Sequence, residues 1–301
     1  MEETSGIIVR YQSGFYSVET SLGRIICTLR GRLKQGTTRK DIAAIGDRVT
    51  ITVQMDSSGV IEKLEERTSS LVRSAPSSRG EYQQVLIANL DQVVIVFACD
   101  EPPPHLRMLD RFLVICERQE LKPLIIANKV DLVGRSAAKK IFEPYLSLEY
   151  PILFTSVKKH LGINKLEHYL KGKISCFTGP SGVGKTSLLN ALQPNLGLHV
   201  REISQATFKG KHTTVVRELF PLAEGGFVAD MPGLRTLGLW DIEPEEIDAY
   251  FPEMRYLVAD CQFSNCSHQS EPGCAIRAAV ESGKIHPLRY DSYMRLRAGD
   301  E

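Results

Sequence analysis

A glycine-rich segment limits the possible folds of this chain more than any other part of its sequence. It reads Gly-Pro-Ser-Gly-Val-Gly-Lys-Thr, fits the pattern G-x-x-x-x-G-K-[ST], and stands between the apolar run Ile174–Thr178 and a helix-like run. In such loops the backbone N–H groups turn toward phosphate oxygens, and the helix N-terminus adds partial positive charge. The flanking strand and helix distinguish the segment from a glycine-rich turn with an unrelated lysine. The predicted nucleotide-binding residues of this segment are Gly179, Pro180, Ser181, Gly182, Val183, Gly184, Lys185, Thr186 and Ser187.

The surrounding sequence predicts an α/β domain with a mainly parallel sheet. Apolar runs typical of strands buried on both faces occur at Val93–Ala98, Leu124–Ala127 and Phe227–Ala229. Helical patterns at Leu106–Arg118 and Gly162–Lys171 lie between such runs. Strands that alternate with helices are typical of this class of fold.

A second motif indicates that the bound base is guanine. Asn128, Lys129 and Asp131 form N-K-x-D directly after the predicted strand Leu124–Ala127. The Asp131 carboxylate could accept hydrogen bonds from both N1–H and the 2-amino group of guanine, whereas adenine offers no such pair of donors. A polar strand-to-helix turn and an ATP-binding loop are the alternatives, and Asp131 argues against the second. After the next predicted strand, the expected base-contacting loop consists of Thr155, Ser156 and Val157.

The magnesium and γ-phosphate contacts are expected to come from three places. Lys185 is predicted to reach the β- and γ-phosphates and to act in catalysis, and the Thr186 hydroxyl is predicted to bind Mg²⁺. After the strand Phe227–Ala229, Asp230 is expected to hold a Mg²⁺-bound water and the Gly233 N–H to contact the γ-phosphate. A polar loop before another predicted strand, Val215–Phe220, is expected to supply one more Mg²⁺ ligand, and the sequence leaves open whether it is Thr213 or Thr214.

Hydrolysis requires a group that positions the attacking water. Many GTPases place a glutamine directly after D-x-x-G, but this chain has Leu234 there, which cannot hydrogen-bond to water. His212, beside the two threonines, is the candidate for this catalytic role. The alternative is that His212 is a solvated loop histidine.

These segments occur in an unusual order along the chain. In common small GTPases the phosphate loop comes first and N-K-x-D follows it, whereas here Asn128–Asp131 and Thr155–Val157 precede Gly179–Ser187. The sequence therefore predicts a circularly permuted GTPase domain that keeps the same sheet and site.

The N-terminal residues predict a small β-barrel. Five short β-type runs with hairpin-like spacing favour an OB-like or SH3-like barrel, and the OB fold has the matching strand number. Thr68 to Gly80, rich in Ser, Arg and Pro, is interpreted as a linker. A basic stretch in the barrel is expected either to meet RNA phosphates or to be a solvated loop; its residues are Arg30, Arg32, Lys34, Arg39 and Lys40.

A cysteine and histidine cluster near the C-terminus predicts a metal site. The spacing Cys-x4-Cys-x-His-x5-Cys gives four candidate ligands with none to spare, as in closed structural zinc sites. Buried cysteines beside a surface histidine are the alternative. The predicted ligands are Cys261, Cys266, His268 and Cys274. The remaining cysteines stand in apolar runs and are interpreted as packing residues: Cys27, Cys99, Cys116 and Cys176.

Composition excludes several classes of protein. No apolar run is long enough for a transmembrane helix, and the polar N-terminus does not resemble a secretory signal. The net charge of +1 argues against a globally basic nucleic-acid binder but permits local basic patches. We therefore expect a cytoplasmic protein with no membrane partner.

Together these features resemble the ribosome small subunit-dependent GTPase A family (RsgA, also called YjeQ). The residues that carry the resemblance are those of the permuted nucleotide motifs and the Cys261–Cys274 cluster. The resemblance implies an OB-like barrel in residues 1–67, a permuted GTPase domain in 68–238 and a helical zinc-binding domain in 239–301. It also implies one Zn²⁺ per chain, Mg²⁺ with GTP and a monomeric state.

The same resemblance implies a function in ribosome assembly. GTP hydrolysis to GDP and phosphate would be stimulated by the 30S subunit, and the protein would act late in maturation of that subunit through contact with 16S rRNA. The alternative is an RNA-binding assembly factor for which GTP is mainly a conformational ligand with little turnover.

Overall fold

The computed structural model describes residues 2–34, 42–77, 80–193, 218–230 and 242–300. These residues fall into two compact units. The first takes its residues from Met1–Val94, Ile163–Thr178 and Lys185–Thr236. The second takes its residues from Ile95–Gly162, Gly179–Gly184 and Leu237–Glu301. Within the described residues, no helix combines the length and the apolar character needed to cross a membrane.

The N-terminal residues form a closed five-stranded barrel, which confirms the predicted OB-like architecture. The strands are hydrogen-bonded in the order β1-β2-β3-β5-β4, and antiparallel pairing of β1 with β4 closes the barrel. Strands β3 and β5 pair in parallel. The barrel core includes Ile8, Val18, Ile51 and Ile61, which are fully buried. The strands are β1 (Glu2–Gln12), β2 (Phe15–Thr20), β3 (Gly23–Leu29), β4 (Arg48–Val53) and β5 (Gly59–Leu64), and a short helix α1 (Gly31–Lys34) follows β3.

A β-hairpin follows the barrel where the sequence predicts a linker. Strands β6 (Ser70–Ser77) and β7 (Gly80–Ala88) pair antiparallel with Leu71 opposite Ile87, both fully buried. The linker interpretation of Thr68 to Gly80 is therefore wrong. Its Ser, Pro and Gly content marks the end of the hairpin, whereas the apolar pair Leu71-Val72 belongs to the strand.

Among the described residues, the central sheet has six strands in the order β10-β9-β8-β11-β13-β12. Strand β10 pairs in parallel with β9, β11 pairs in parallel with β13, and β12 runs antiparallel to β13. Every residue of β8, β9 and β11 is buried, as predicted for strands covered on both faces. Of the predicted strand at 215–220, residues 215–217 lie outside the described part of the chain. The strands are β8 (Gln92–Ala98), β9 (Pro123–Asn128), β10 (Ile152–Phe154), β11 (Ile174–Thr178), β12 (Phe220–Pro221) and β13 (Phe227–Asp230).

Helices connect these strands, as the alternating pattern predicts. The two helices expected from the sequence are observed as α2 (Leu106–Arg118) and α6 (Ile163–Leu170). The helix after the phosphate loop is α7 (Lys185–Leu192). Three short helices lie between β9 and β10: α3 (Val130–Val133), α4 (Arg135–Ile141) and α5 (Glu143–Leu146).

The C-terminal residues form short helical segments around a separate hydrophobic core. Its fully buried side chains include Phe251, Met254, Ile276 and Tyr293, and the Phe251 and Tyr293 rings pack nearly perpendicular to each other. The buried thiols of Cys266 and Cys274 belong to the same core. The segments are two 3-10 helices (Pro244–Tyr250 and Val258–Asp260) and the helices α8 (Pro252–Arg255), α9 (Ala275–Glu281) and α10 (Pro287–Arg297).

Candidate functional site

The loop Gly179–Gly184 lies in the second unit, and two of its glycines allow close backbone approach. At Gly179, with φ of +138°, a Cβ atom would lie 2.1 Å from the carbonyl oxygen of Val96. At Gly184, with φ of +95°, a Cβ atom would lie 2.5 Å from the side-chain nitrogen of Asn128. Both positions therefore require glycine for space as well as for backbone conformation. The contact at Gly184 also brings the base motif directly against the phosphate loop.

Asn128 connects three of the predicted nucleotide-binding segments. It lies at the end of β9 and is only 2% exposed. Its Nδ2 donates to the carbonyl oxygen of Val183 at 2.9 Å, and its Oδ1 accepts from the Thr155 hydroxyl at 2.9 Å. Since both the donor and the acceptor of this buried amide are satisfied, Asn128 holds the phosphate loop and the Thr155 loop together.

Asp131 is positioned by the loop that follows β10. The hydroxyl of Ser156, which is fully buried, donates to Asp131 Oδ1 at 2.5 Å. This hydrogen bond lowers the pKa of Asp131, and the charges of Lys158 and Lys159 act in the same direction. The carboxylate is therefore ionised at neutral pH and remains partly accessible, as a double acceptor for guanine must be.

Lys129 adopts a left-handed backbone conformation between these two side chains. Its φ is +59°, and its Nζ donates to the carbonyl oxygen of Glu101. The residue after Glu101, Pro102, approaches the phosphate loop: a Cβ atom added at Gly182 would lie 3.5 Å from the Pro102 ring. The segment that precedes α2 therefore borders both the base motif and the phosphate loop.

The structure places the other predicted nucleotide ligands as follows. Pro180 is buried, Ser181 is exposed and Val157 is half-buried. Lys185, Thr186 and Ser187 form the first turn of α7 and are half-buried. The backbone of Asp230 ends β13 beside Phe177 of β11. His212, Thr213, Thr214 and Gly233 lie outside the described residues.

The four predicted metal ligands converge in the second unit. Their ligand atoms all lie within 4.8 Å of one another. His268 Nδ1 is 3.6 Å from Cys261 Sγ and 3.4 Å from Cys274 Sγ. Burial raises the pKa of the Cys266 thiol to about 12, so a bound cation is needed to hold it as a thiolate. Three sulfurs and one ring nitrogen in a compact, mostly buried group fit a structural metal ion.

Asp248 adds a contact that the sequence did not reveal. Its carboxylate lies 3.1 Å from His268 Nε2, which leaves Nδ1 facing the sulfurs. The Tyr290 hydroxyl donates to the carbonyl oxygen of His268 at 2.5 Å. Metal-binding histidines commonly use a carboxylate in this way. Asp248 stands twenty residues before His268 in a generally acidic stretch, so its spacing carries no signal.

Part of the basic stretch in the barrel is paired internally. Arg30 and Arg32 both contact the carboxylate of Glu62 on β5, although each arginine side chain stays more than half exposed. The side chain of Lys34, and the residues Arg39 and Lys40, lie outside the described part of the chain.

The packing role predicted for the other cysteines agrees with their burial at Cys27, Cys99, Cys116 and Cys176.

The sequence matches two family models that together span most of the chain. Residues 64–240 match the RsgA GTPase family, and residues 5–61 match the RsgA N-terminal domain. Two relatives carry the name small ribosomal subunit biogenesis GTPase RsgA. The protein from Gemmatimonas aurantiaca is 45% identical over 298 residues, which cover 98% of this chain and 96% of the relative. The protein from Moorella thermoacetica is 43% identical over 290 residues, which cover 96% of this chain and 94% of the relative.

Comparison with solved structures leads to the same family. The crystal structure of YjeQ from Thermotoga maritima aligns with a TM-score of 0.80 and 37% identity over 99% of each chain. The crystal structure of YloQ, a circularly permuted GTPase, aligns with a TM-score of 0.76 and 31% identity, covering 99% of this chain and 95% of that one. The order of the motifs on the sheet, the closed barrel and the cysteine–histidine cluster agree with this assignment. This chain is therefore a GTP hydrolase that belongs to the RsgA GTPase family.

Proposed function

We propose that this GTPase acts in late maturation of the small ribosomal subunit. GTP is hydrolysed to GDP and phosphate, the 30S subunit stimulates the reaction, and the protein contacts 16S rRNA. The observation that carries this proposal is the near-complete alignment with relatives named for biogenesis of that subunit. The proposed place of action is the cytoplasm, where such subunits are assembled.

Specificity for guanine rests on Asp131 in this proposal. Ser156 and the nearby lysines favour its ionised form, so the carboxylate can accept from both guanine donors. Asn128 of the base motif is hydrogen-bonded to Val183 of the phosphate loop, so the two motifs lie side by side. Lys185 contributes charge at the transferred phosphoryl group, and His212 positions the water when the 30S subunit is bound.

Two metal ions belong to the proposal. Mg²⁺ would accompany GTP, and the residues proposed to hold it are Thr186, one of Thr213 or Thr214, and Asp230, the last through a water. One Zn²⁺ fills the cluster in the second unit; its ligands are Cys261, Cys266, His268 and Cys274. Zinc would have a structural role there, because the four donors match the number of ligands in a closed site.

The proposal is tested by measuring multiple-turnover GTP hydrolysis with and without purified 30S subunits. We expect slow turnover alone and an increase of at least about tenfold with 30S, because Leu234 contributes nothing to the water and the ribosome must complete the site. Lys185→Ala is expected to lose the stimulated turnover. Purified 50S subunits serve as the control.

The outcomes distinguish the proposal from its main alternative. Tight GTP binding with equal turnover in the presence and absence of 30S would favour an assembly factor that uses GTP as a conformational ligand. Stimulation by 50S as strong as by 30S would contradict the proposed partner.

A further inference from the structure

Glu218 joins the N-terminal barrel to the central sheet, and every residue concerned lies in the first unit. Its Oε1 is 2.6 Å from Arg24 Nη1 on β3, and its Oε2 is 3.8 Å from Arg10 Nη1 on β1. The backbone of Glu218 forms an antiparallel bridge with Arg10. The next N–H, that of Leu219, donates to the carbonyl oxygen of Val9 at 2.8 Å. Two barrel strands therefore hold one short segment that is distant from them in sequence.

The arrangement around this glutamate is specific. The Glu218 side chain is 19% exposed, and Leu219 and Val9 beside it are fully buried. Arg24 is shared with a third barrel strand, because its Nε lies 3.0 Å from Glu19 Oε2 on β2. Since the arginines are 39% and 48% exposed, the ion pairs add little to folding stability. The main effect of these ion pairs is therefore to fix the position of the Glu218 segment against the barrel.

The segment held by the barrel leads directly to the nucleotide motifs. Glu218 and Leu219 run into β12, where Phe220 pairs with Val228 of β13. Two residues further along, β13 ends at Asp230, opposite Phe177 of β11. A displacement of the barrel strands at Glu218 would therefore be transmitted through one strand pair to the end of β13.

A second attachment joins the barrel residues to the end of β7 and to Asn89, just before β8. The Ala88 N–H donates to the carbonyl oxygen of Ile45 at 2.8 Å, and Asn89 Nδ2 donates to the carbonyl oxygen of Gly46 at 3.0 Å. A Cβ atom at Gly46 would lie 2.1 Å from the carbonyl oxygen of Ala88, so this contact is backbone to backbone. The barrel is therefore held at two separate places, one at the segment before β12 and one at the segment before β8.

We propose that Glu218 is a positioning residue that couples the barrel to the Asp230 end of β13, so that RNA docking on the barrel alters the rate of GTP hydrolysis. The inference rests on the proposed function, and on the sequence-based expectation that the basic stretch of the barrel is the part that meets 16S rRNA. Glu218 touches neither nucleotide nor metal in this scheme. It acts through β12 and β13, by fixing where the barrel holds them.

The test uses the full-length protein and three variants. Glu218→Gln removes the charge that both arginines contact, and Glu218→Asp keeps a carboxylate there. Glu224→Gln is the matched control, because Glu224 forms an exposed ion pair in the same unit with Lys171 at 2.8 Å, and that pair does not involve the barrel. For each protein we measure melting temperature, intrinsic GTP turnover, 30S-stimulated turnover, and sedimentation with 30S in a non-hydrolysable GTP analogue.

We expect the 30S-stimulated turnover of Glu218→Gln to be at least about fivefold lower than that of the parent. A factor of this size is typical of energetic coupling between two distinct sites. The variant's melting temperature, intrinsic turnover and 30S binding should match the parent, and Glu218→Asp should recover more than half of the loss. Stimulation equal to that of the parent, an equal loss in Glu224→Gln, or a loss explained by weaker 30S binding would overturn the inference. A parent protein that 30S does not stimulate would instead contradict the proposed function.

Discussion

At the level of single residues, Asn128 and Asp131 have different roles in the base motif. Asn128 is buried, with both side-chain groups used by Val183 and Thr155, so its task is to hold loops together. Asp131 is partly accessible, and one carboxylate oxygen accepts from Ser156. One side chain of the motif is therefore structural, and the other is available to the base.

Asp131→Asn is expected to weaken GTP binding by about two orders of magnitude, because two hydrogen bonds to a charged acceptor are each worth about 1.5 kcal/mol or more. The same variant should gain affinity for xanthosine triphosphate, whose base carries an oxygen in place of the 2-amino group and can accept from the new amide. Competition with a fluorescent GDP derivative measures both effects.

Asp56→Asn provides a matched control, because Asp56 also accepts a serine hydroxyl, that of Ser58 at 2.7 Å, but lies on the barrel surface. It should bind GTP like the parent. An Asp131→Asn protein that keeps its preference for GTP over xanthosine triphosphate would show that another group reads the base.

The lowered pKa of Asp131 also has a consequence for pH dependence. The ionised form binds guanine, so the contribution of Asp131 to the affinity is kept above the usual aspartate pKa of 3.8 and falls as pH passes below it. Ser156→Ala removes the largest cause of the shift and should raise the Asp131 pKa toward that value. A carboxyl titration followed by NMR measures the change, and an unchanged midpoint would refute this cause.

At the scale of elements, a buried ion network joins α2 to the C-terminal helices. Arg289 of α10 is 1% exposed and lies 2.5 Å from Asp110 of α2 and 2.6 Å from Glu253 of α8. Its guanidinium also lies over the rings of Phe251 and Tyr145, at 4.4 and 5.5 Å. Three helices of the second unit therefore depend on one cation.

Arg289→Met is expected to destabilise this unit by about 3–5 kcal/mol, since removing one partner leaves two buried carboxylates uncompensated. Arg295→Met, in the same helix, is the control: its pair with Asp291 at 3.2 Å is about 42% exposed and should contribute at most about 1 kcal/mol. Urea unfolding followed by circular dichroism compares the two variants. Equal midpoints would mean that the network adds no stability.

The sequence predicted what is encoded locally and missed what depends on distant contacts. Strands such as β9, the helix α2 and the metal ligands follow from short patterns in the chain. Strand β6 was missed because its Ser, Arg and Pro residues obscure a two-residue apolar signal. The pairing of Arg289 with Asp110 spans 179 positions, and no local pattern specifies it.

At the scale of the whole molecule, the fold compensates for the changed order of its motifs. The segments after β9 and β10 carry the two base motifs, and the carboxyl ends of these two parallel strands lie at one edge of the sheet. Chain order can then change without changing which segments meet. In the second unit, Asn128 contacts both Val183 and Thr155, so segments that are distant in sequence meet at this residue.

The metal cluster depends on contacts from several segments of the second unit. Asp248 of a 3-10 helix orients His268, Tyr290 of α10 holds the His268 carbonyl group, and Cys274 caps α9 by accepting from the Arg277 N–H at 3.5 Å. Asp248→Asn is expected to lower zinc affinity by about 10–100-fold, since the carboxylate that orients the ring is lost. Competition with a chromogenic chelator measures this change, and zinc removal should also lower the melting temperature of the parent.

Glu245→Gln is the control for that experiment, because Glu245 lies on the same 3-10 helix with its side chain 74% exposed and 3.9 Å from Arg297. It should hold zinc like the parent. If Asp248→Asn also holds zinc like the parent, the carboxylate does not orient the ligand. If chelation leaves the melting temperature unchanged, the core built from Phe251, Ile276 and Tyr293 is sufficient without the ion.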